Sequence, residues 1–438
     1  MMNSKSDCKY PNYHNLQTFF CWERHGSPLI EQLIAHVRDN APEGMIPLRF
    51  NITRSEENSL WIEATYFQNR HNKFPSCLPR FSISRNHQSS HVAHVVPTSV
   101  GASIGGFAGD AAPATRLLAS VSDKLITHPN VVNASDILYV SSNTLYVEGS
   151  FLDSFFLGQI ALRQVRTNVL GVIIEKQPER FIDNVRYSID AAHTTCGIPI
   201  AGYAVTKEKI HPRVRCFDSG AYTGIIENVD TLLEAAETLI SQGATAIAIT
   251  TEILDLPDIT EYVQGHAPNP HGGVEALLSH TVARNFGVPS AHAPMWGEFY
   301  GDIEHHYSEY DPREAAELVT VTAIGCVLQG LSKAPQAIPI EAALPSDIRV
   351  NDLLAVVVPA RAIGNIPTLA STAIGITVIG IEGNTTLHKV SHKDLGMRNY
   401  YLAKNYLEAA GIIAALRCGI SIPSLLRPIS NVSKIVQG

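Results

Sequence analysis

The segment NPHGGVEALLSHTVARNFGVPSAHAP places His271 before a glycine pair, Glu275 in the first turn of a helical stretch, His280 farther along it and His292 at the end of the next apolar run. Histidine titrates near neutrality and ligates zinc or iron well, so a carboxylate and three imidazoles this close together could serve as an acid/base set or as a metal site. Their spacing divides them. Glu275 and His280 stand five residues apart, about 140° around a helix that turns about 100° per residue. They therefore do not share a face as the two histidines of an H-E-x-x-H helix do.

A second segment, LITHPNVVNAS, offers His128, Asn130 and Asn133 where an apolar run ends, and SSNTLYVEGS supplies Glu148 after the next one. Open α/β sheets bind ligands at the ends of their strands; a turn held by asparagine side chains is the alternative reading. A third, VVPTSVGASIGGFAGDAAP, runs from an apolar strand into Gly101, Gly105, Gly106, Gly109 and Asp110 before a helical stretch. Such a turn brings backbone N–H groups toward a phosphate or carboxylate, although it lacks the G-K-[ST] of a P-loop and the spacing of a dinucleotide fingerprint. A fourth, GEFYGDIEHHYSEYDPRE, gathers Asp302, Glu304, His305 and His306 in an acidic loop; adjacent histidines there can bind a metal, while the commoner reading is solvated surface, and a lid over the site is a further option. In the last, VVVPARAIGNIPTLASTAIGITVIGIEGNTT, Glu382, Gly383 and Asn384 form a polar tip after a strand.

From these segments the expected catalytic groups are His128, Glu275 and His292. Gly105, Gly106, Gly109, Asp110, Asn130, Asn133, Glu382 and Asn384 are expected to bind substrate. A divalent metal is one option, with His271, His280 and His292 as its candidate ligands, and no cofactor is otherwise specified.

These residues need a scaffold. From about Val92, short apolar runs alternate with helical stretches across Gly and Pro turns, the pattern of an α/β domain. Strands are expected in VAHVVPT, NVLGVIIE, IPIAGYAVT, ATAIAITTEI, VPSAHAP, DLLAVVVPA and ITVIGIEGN. Helices are expected from Arg180, Val229, Gly273 and Pro312. Runs that are almost wholly apolar are covered on both faces, as parallel strands are. The expected fold is thus α/β, with a mostly parallel layered sheet in residues 92–438, subdivision near Arg166 being one option. Residues 1–91 read as a small α+β lobe with a helix from Leu29 and a hairpin pairing IPLRFNIT with LWIEATYF. The C-terminal stretch YYLAKNYLEAAGIIAALRCGISIPSLL is apolar around much of its circumference, which suits burial against the body or a homo-oligomer interface.

Lys and Arg number 33 against 41 Asp and Glu, a formal charge of −8, and no basic run is interleaved with aromatics, so a nucleic-acid groove is not expected. No apolar stretch approaches the roughly 20 residues that span a bilayer, and the N-terminus lacks the apolar core of a secretory signal. The expectation is a cytoplasmic protein without a membrane partner. The seven cysteines form no C-x-x-C pair and read as thiols, with Cys196, Cys326 and Cys418 in apolar contexts that suit burial.

The stretches VVPTSVGASIGGFAGDAAP, LITHPNVVNAS, GGVEALLSH, VPSAHAP and IPTLASTAIGITVIGIEGN, in this order, resemble signature stretches of a bacterial family known only as a domain of unknown function. The resemblance covers about Val92 to Leu387 and carries no reaction. It implies that Asp110, His128, Asn130, Glu275, His280 and His292 belong to segments characteristic of that family, in which Ser99 stands where Gly is usual. The N-terminal lobe lies outside it.

The leading functional expectation is an enzyme of the lyase, hydrolase or isomerase kind that uses His/Glu acid–base chemistry on a small anionic substrate. A metal-assisted version would use the same histidines. One alternative is a nucleotide- or phosphate-dependent transferase, for which only Arg116 and Lys124 supply cations behind the glycine loop. Another is a binding protein that senses a metabolite without transforming it. Convergence of His128, Glu275 and His292 on one pocket would favour catalysis.

Overall fold

A computed structural model of the chain describes residues 13–24, 26–68, 89–100, 104, 111–132, 141–258, 260–263, 266–295, 324–429 and 431–432. Gly105, Gly106, Gly109, Asp110, Asn133 and the acidic loop with His305 and His306 lie outside the described residues.

The N-terminal lobe is a three-stranded antiparallel sheet in the order β1-β3-β2, built from β1 (Tyr13–Cys21), β2 (Ile46–Glu56) and β3 (Ser59–Phe67). The expected hairpin is β2 and β3, with Ile52 opposite Ile62. β1 was not foreseen, because YHNLQTFFC places His, Asn and Gln among its apolar residues. Helix α1 (Leu29–Asp39) buries Ile30, Leu33, Ile34 and Val37, an i, i+3, i+4, i+7 stripe. The stripe joins the core formed with Ile52, Leu60 and Ile62.

Two parallel sheets form the body. The larger has the order β17-β16-β15-β4-β5-β6, with β4 (His91–His94), β5 (Leu125–Thr127), β6 (Thr144–Tyr146), β15 (Leu353–Pro359), β16 (Thr377–Ile381) and β17 (Tyr400–Ala403). The smaller has the order β13-β12-β8-β9, with β8 (Leu170–Ile174), β9 (Ile200–Val205), β12 (Ala246–Thr251) and β13 (Ser290–Pro294). Two antiparallel pairs accompany them: β7 (Ile160–Arg163) with β14 (Gln336–Pro339), and β10 (Pro212–Cys216) with β11 (Tyr222–Ile226).

Helices cover both sheets on both faces, and the alternation of side chains along each strand shows how. Val92, Val357 and Ile379 of the larger sheet pack with helices α2 (Ala112–Ser120) and α10 (Tyr406–Arg417). Ala93, Ile126 and Val356 pack on the other side with α3 (Gly149–Phe156) and α9 (Ile366–Ile374). In the smaller sheet Leu170, Val172, Ala246 and Ala248 face α4 (Glu179–Cys196) and α8 (Ile324–Ser332). Ile173, Ile247 and Ile249 face α5 (Val229–Ser241) and α7 (Gly272–Phe286). Short helices α6 (Thr260–Val263) and α11 (Ile422–Leu425) complete the described α-helices, beside two 3-10 turns at Ile340–Ala342 and Val350–Asp352. The apolar C-terminal stretch therefore divides into β17, pairing with β16, and α10, whose Ala409 and Ile413 are fully buried within the chain.

Each sheet has a point where its winding reverses. The chain runs outward from β4 to β5 and β6, then returns to lay β15, β16 and β17 on the other side of β4. In the smaller sheet the reversal falls between β8 and β12. Crevices at the carboxyl ends of strands beside such points are where doubly wound sheets bind ligands.

Among the described residues five cysteines are free thiols. Cys326 is buried as expected, but Cys196 and Cys418 are exposed, because one occupies the last turn of α4 and the other caps α10. No helix among the described residues is long and apolar enough to cross a membrane.

Candidate functional site

Helix α7 positions most of the candidate residues. Of its 15 residues, 13 are buried, so its polar side chains must find partners inside the protein; Glu275 and Ala276 are the two that retain exposure. The glycine pair at its start is a steric requirement. A Cβ on Gly273 would stand 2.3 Å from the Tyr222 carbonyl oxygen of β11, and one on Gly272 would stand 3.2 Å from Asn130 Oδ1. The first turn is thus wedged between β11 and the loop that follows β5. Gly273→Ala is expected to push the helix off β11 and cost about 1–3 kcal/mol, read as a lower midpoint in urea. Gly411→Ala in α10, where a Cβ meets nothing within 4 Å, is expected to stabilise by about 0.5–1 kcal/mol.

Glu275 and His292 meet. Glu275 Oε1 lies 3.1 Å from His292 Nδ1, and His292 Nε2 lies 2.9 Å from Thr251 Oγ1 at the end of β12. A carboxylate accepts, so Nδ1 carries the imidazole proton and Nε2 accepts from the Thr251 hydroxyl. The order carboxylate, imidazole, hydroxyl is that of a nucleophilic triad, but exposure assigns the parts differently. The His292 side chain is 0% exposed and that of Glu275 is 24% exposed, so Glu275 is the group presented outward and His292 with Thr251 holds it from behind. His271 stands just before the helix. Its Nδ1 lies 3.2 Å from Asn269 Oδ1, and the Asn269 amide donates to Tyr262 at 3.2 Å, which leaves Nε2 as a lone pair. Burial lowers the His271 pKa below the usual imidazole value, with the Glu275 charge opposing and His292 assisting. Tyr146, at the end of β6, is held protonated by burial and by the nearby charges of Glu275 and Glu148.

His128 and Asn130 are used differently. The Val96 N–H donates to His128 Nε2 at 3.1 Å, and Asn130 Nδ2 donates to the Val96 carbonyl at 2.7 Å, so the two side chains hold both polar groups of one backbone unit in the loop after β4. Burial, assisted by His280, pushes His128 down to about 4. It is neutral at pH 7, with its proton on Nδ1. Asn130 Oδ1 faces the start of α7.

His280 turns away from Glu275, as their separation around the helix requires. Its Nδ1 bonds to Glu148 Oε1, which also accepts from Ser279 Oγ at 3.2 Å. Glu148 Oε2 accepts from the backbone N–H groups of Ser150 and Phe151 at 2.8 and 3.1 Å, capping α3. Burial alone would raise the Glu148 pKa; His280, Ser150 and the Phe151 N–H outweigh it and hold the carboxyl below its usual range. The pair clamps α3 to α7. One turn along each helix, half-buried Asp153 feels Arg284 and Arg49, yet burial and the Glu148 charge push it up to about 7. An acid whose folded pKa is raised weakens the fold as pH climbs from its unfolded value, near 3.8, toward that figure. Asp153→Asn lacks this titration, so its stability relative to the parent is expected to rise steadily between pH 4 and 7 in urea melts. A flat difference would contradict the assignment.

The polar tip after β16 is occupied by the protein itself. Asn384 Oδ1 accepts from the Ile104 N–H at 3.0 Å, while its amide donates to the Ile104 carbonyl and to the Tyr406 hydroxyl. Glu382 is exposed and its charge acts on Tyr400. Among the described residues no three His, Cys, Asp or Glu side chains gather as a metal ion would need; His280 is committed to Glu148. Sequence reasoning did not single out Thr251, Tyr146 or Asn269. Thr251 sits in a run of strand formers, and nothing local distinguishes it.

Comparison with known proteins adds kinship but no reaction. The chain is 36% identical over 339 residues to an uncharacterized lipoprotein of Synechococcus sp., covering 76% of this chain and 92% of that one. That finding overturns the cytoplasmic expectation, which rested on the absence of an apolar leader. No solved structure matches the chain significantly. A family model described as a protein of unknown function (DUF3326) matches residues 91–426, from the first residue of β4 to just past α11, and the chain therefore belongs to the DUF3326 family.

Proposed function

We propose that the protein is an enzyme of the lyase, hydrolase or isomerase kind that transfers protons on a small anionic substrate, with Glu275 and His271 as its acting groups. The reading rests chiefly on one observation: the carboxylate of Glu275 faces outward from a largely buried helix, fixed by His292 and Thr251, beside the neutral imidazole of His271. A positioned base and a second group able to carry the proton are what general acid/base catalysis requires. The first turn of α7 supports the anionic class of substrate, since it carries the positive end of the helix dipole. His128 serves in this reading as a neutral positioning group.

The test is carbon–deuterium exchange and product formation, followed by mass spectrometry, when the protein is incubated in D₂O with pools of hydroxy, keto and amino acids and phosphate esters. Exchange or turnover of an anionic compound is expected. A compound that raises the unfolding temperature yet is neither exchanged nor converted would favour a metabolite sensor instead.

A further inference from the structure

The crevice beside the winding reversal of the smaller sheet contains a cavity that the acid–base reading does not use. Its volume is about 460 Å³, and it is lined by Lys176, Gln177 and Pro178 from the loop after β8 and by Glu208 and Lys209 from the loop after β9. That volume suits a small metabolite. Both loops are held from behind. Thr206 Oγ1 accepts from the Lys176 N–H at 2.9 Å and donates to the Glu208 carbonyl at 2.7 Å, while Asn228 Nδ2 donates to the Lys209 carbonyl at 2.7 Å. Glu175 Oε1 takes the N–H groups of Ile210 and His211 at 2.6 and 2.9 Å, and its Oε2 takes that of Glu252, after β12, at 2.9 Å. Buried Gln177 ties the lining to the same crevice, its amide donating to Glu252 Oε2 at 3.0 Å. The cavity is therefore preformed, and a ligand entering it has little ordering to bring about.

Charge selects what fits. Lys176 Nζ donates to the Lys207 carbonyl at 3.1 Å, which stations the ammonium at the rim with two further protons to offer. Lys209 supplies a second cation to the lining, and α4 starts there with Pro178 as its N-cap, so the positive end of its dipole adds to theirs. The buried carboxylates of Glu175 and Glu252 are not part of the lining. Glu208 is, and it offsets one cation while providing a hydrogen-bond acceptor. The balance suits an oxyanion joined to a hydroxyl-bearing body better than a bare multivalent anion. We propose that this cavity binds a small hydroxylated metabolite, its phosphate or carboxylate group held by Lys176 and Lys209 and a hydroxyl donating to Glu208. None of His271, Glu275 and His292 lines it, so it is a second site, independent of the proton-transfer reading.

The test is calorimetric titration of the full-length protein, at low ionic strength, with glycerol 3-phosphate, glycerate and inorganic phosphate. One of the two hydroxylated compounds is expected to bind with a Kd below about 1 mM and several-fold more tightly than inorganic phosphate. A preference for glycerol 3-phosphate identifies the oxyanion as a phosphate, and a preference for glycerate as a carboxylate. Lys176→Gln and Lys209→Gln are each expected to weaken that binding about tenfold or more, the worth of a hydrogen bond to a charged group. Glu208→Gln is expected to tighten inorganic phosphate, a gain that a damaged fold would not produce, and Glu275→Gln to leave every affinity as it was. Absence of binding by all three compounds at about ten times that Kd overturns the proposal. So do affinities unchanged in both lysine variants, and so does binding lost in Glu275→Gln, which would place the ligand at α7.

Discussion

Glu148→Gln is expected to cost about 3–5 kcal/mol of folding stability, the range for breaking a buried charge pair by removing one partner. The carboxylate is fully enclosed and serves five donors: the N–H groups of Ser150 and Phe151, the hydroxyls of Ser150 and Ser279, and His280 Nδ1. A carboxamide has one oxygen where the carboxylate has two, and its NH₂ would be turned against groups that themselves donate. The sign with pH follows from the direction of the Glu148 shift. Its folded pKa lies below the ordinary value, so its contribution is complete above about pH 4.5 and is lost as pH falls through the folded pKa. The gap between parent and variant in urea melts is therefore expected to be widest at neutral pH and to close in acid. A gap under about 1 kcal/mol would place the α3–α7 contact among exposed ion pairs.

Glu275→Gln is expected to lower the rate of whichever proton transfer the D₂O screen identifies by about 10²–10⁴-fold, the usual worth of a positioned general base. The amide occupies the same space and can still pair with His292, so the stability change should be small, since Glu275 retains exposure on a largely buried helix. That combination separates a chemical role from a structural one. A rate within twofold of the parent would remove Glu275 from the mechanism.

Much of the architecture was legible because parallel strands enclosed by helices must be apolar on both sides. NVLGVIIE, ATAIAITTEI and DLLAVVVPA could hardly be anything else, and they are β8, β12 and β15. β5 and β6 are only three residues each, Leu125–Thr127 and Thr144–Tyr146. Runs so short carry no periodicity, yet these two place His128 and Glu148. Within the site, helical geometry alone separated Glu275 from His280, and the structure gives them different partners. The partners themselves were beyond reach. Glu148 and His280 are 132 positions apart and Gln177 and Glu252 are 75 apart, and no local pattern links residues that only the completed fold brings together. Asn384 shows the opposite failure: a polar residue at a strand end looked available for a ligand, but its amide is consumed in holding the Ile104 backbone.

In the proposed chemistry His271 is a neutral imidazole poised beside the Glu275 carboxylate. That assignment is tested most directly by ¹⁵N–¹H NMR titration of the His271 ring in the parent protein and in Glu275→Gln. A pKa below the usual 6.5 is expected in the parent, with the proton on Nδ1 at neutral pH, and a further fall in the variant, because the Glu275 charge opposes the effect of burial. A His271 that is protonated at pH 7, or whose titration ignores the loss of Glu275, would contradict it.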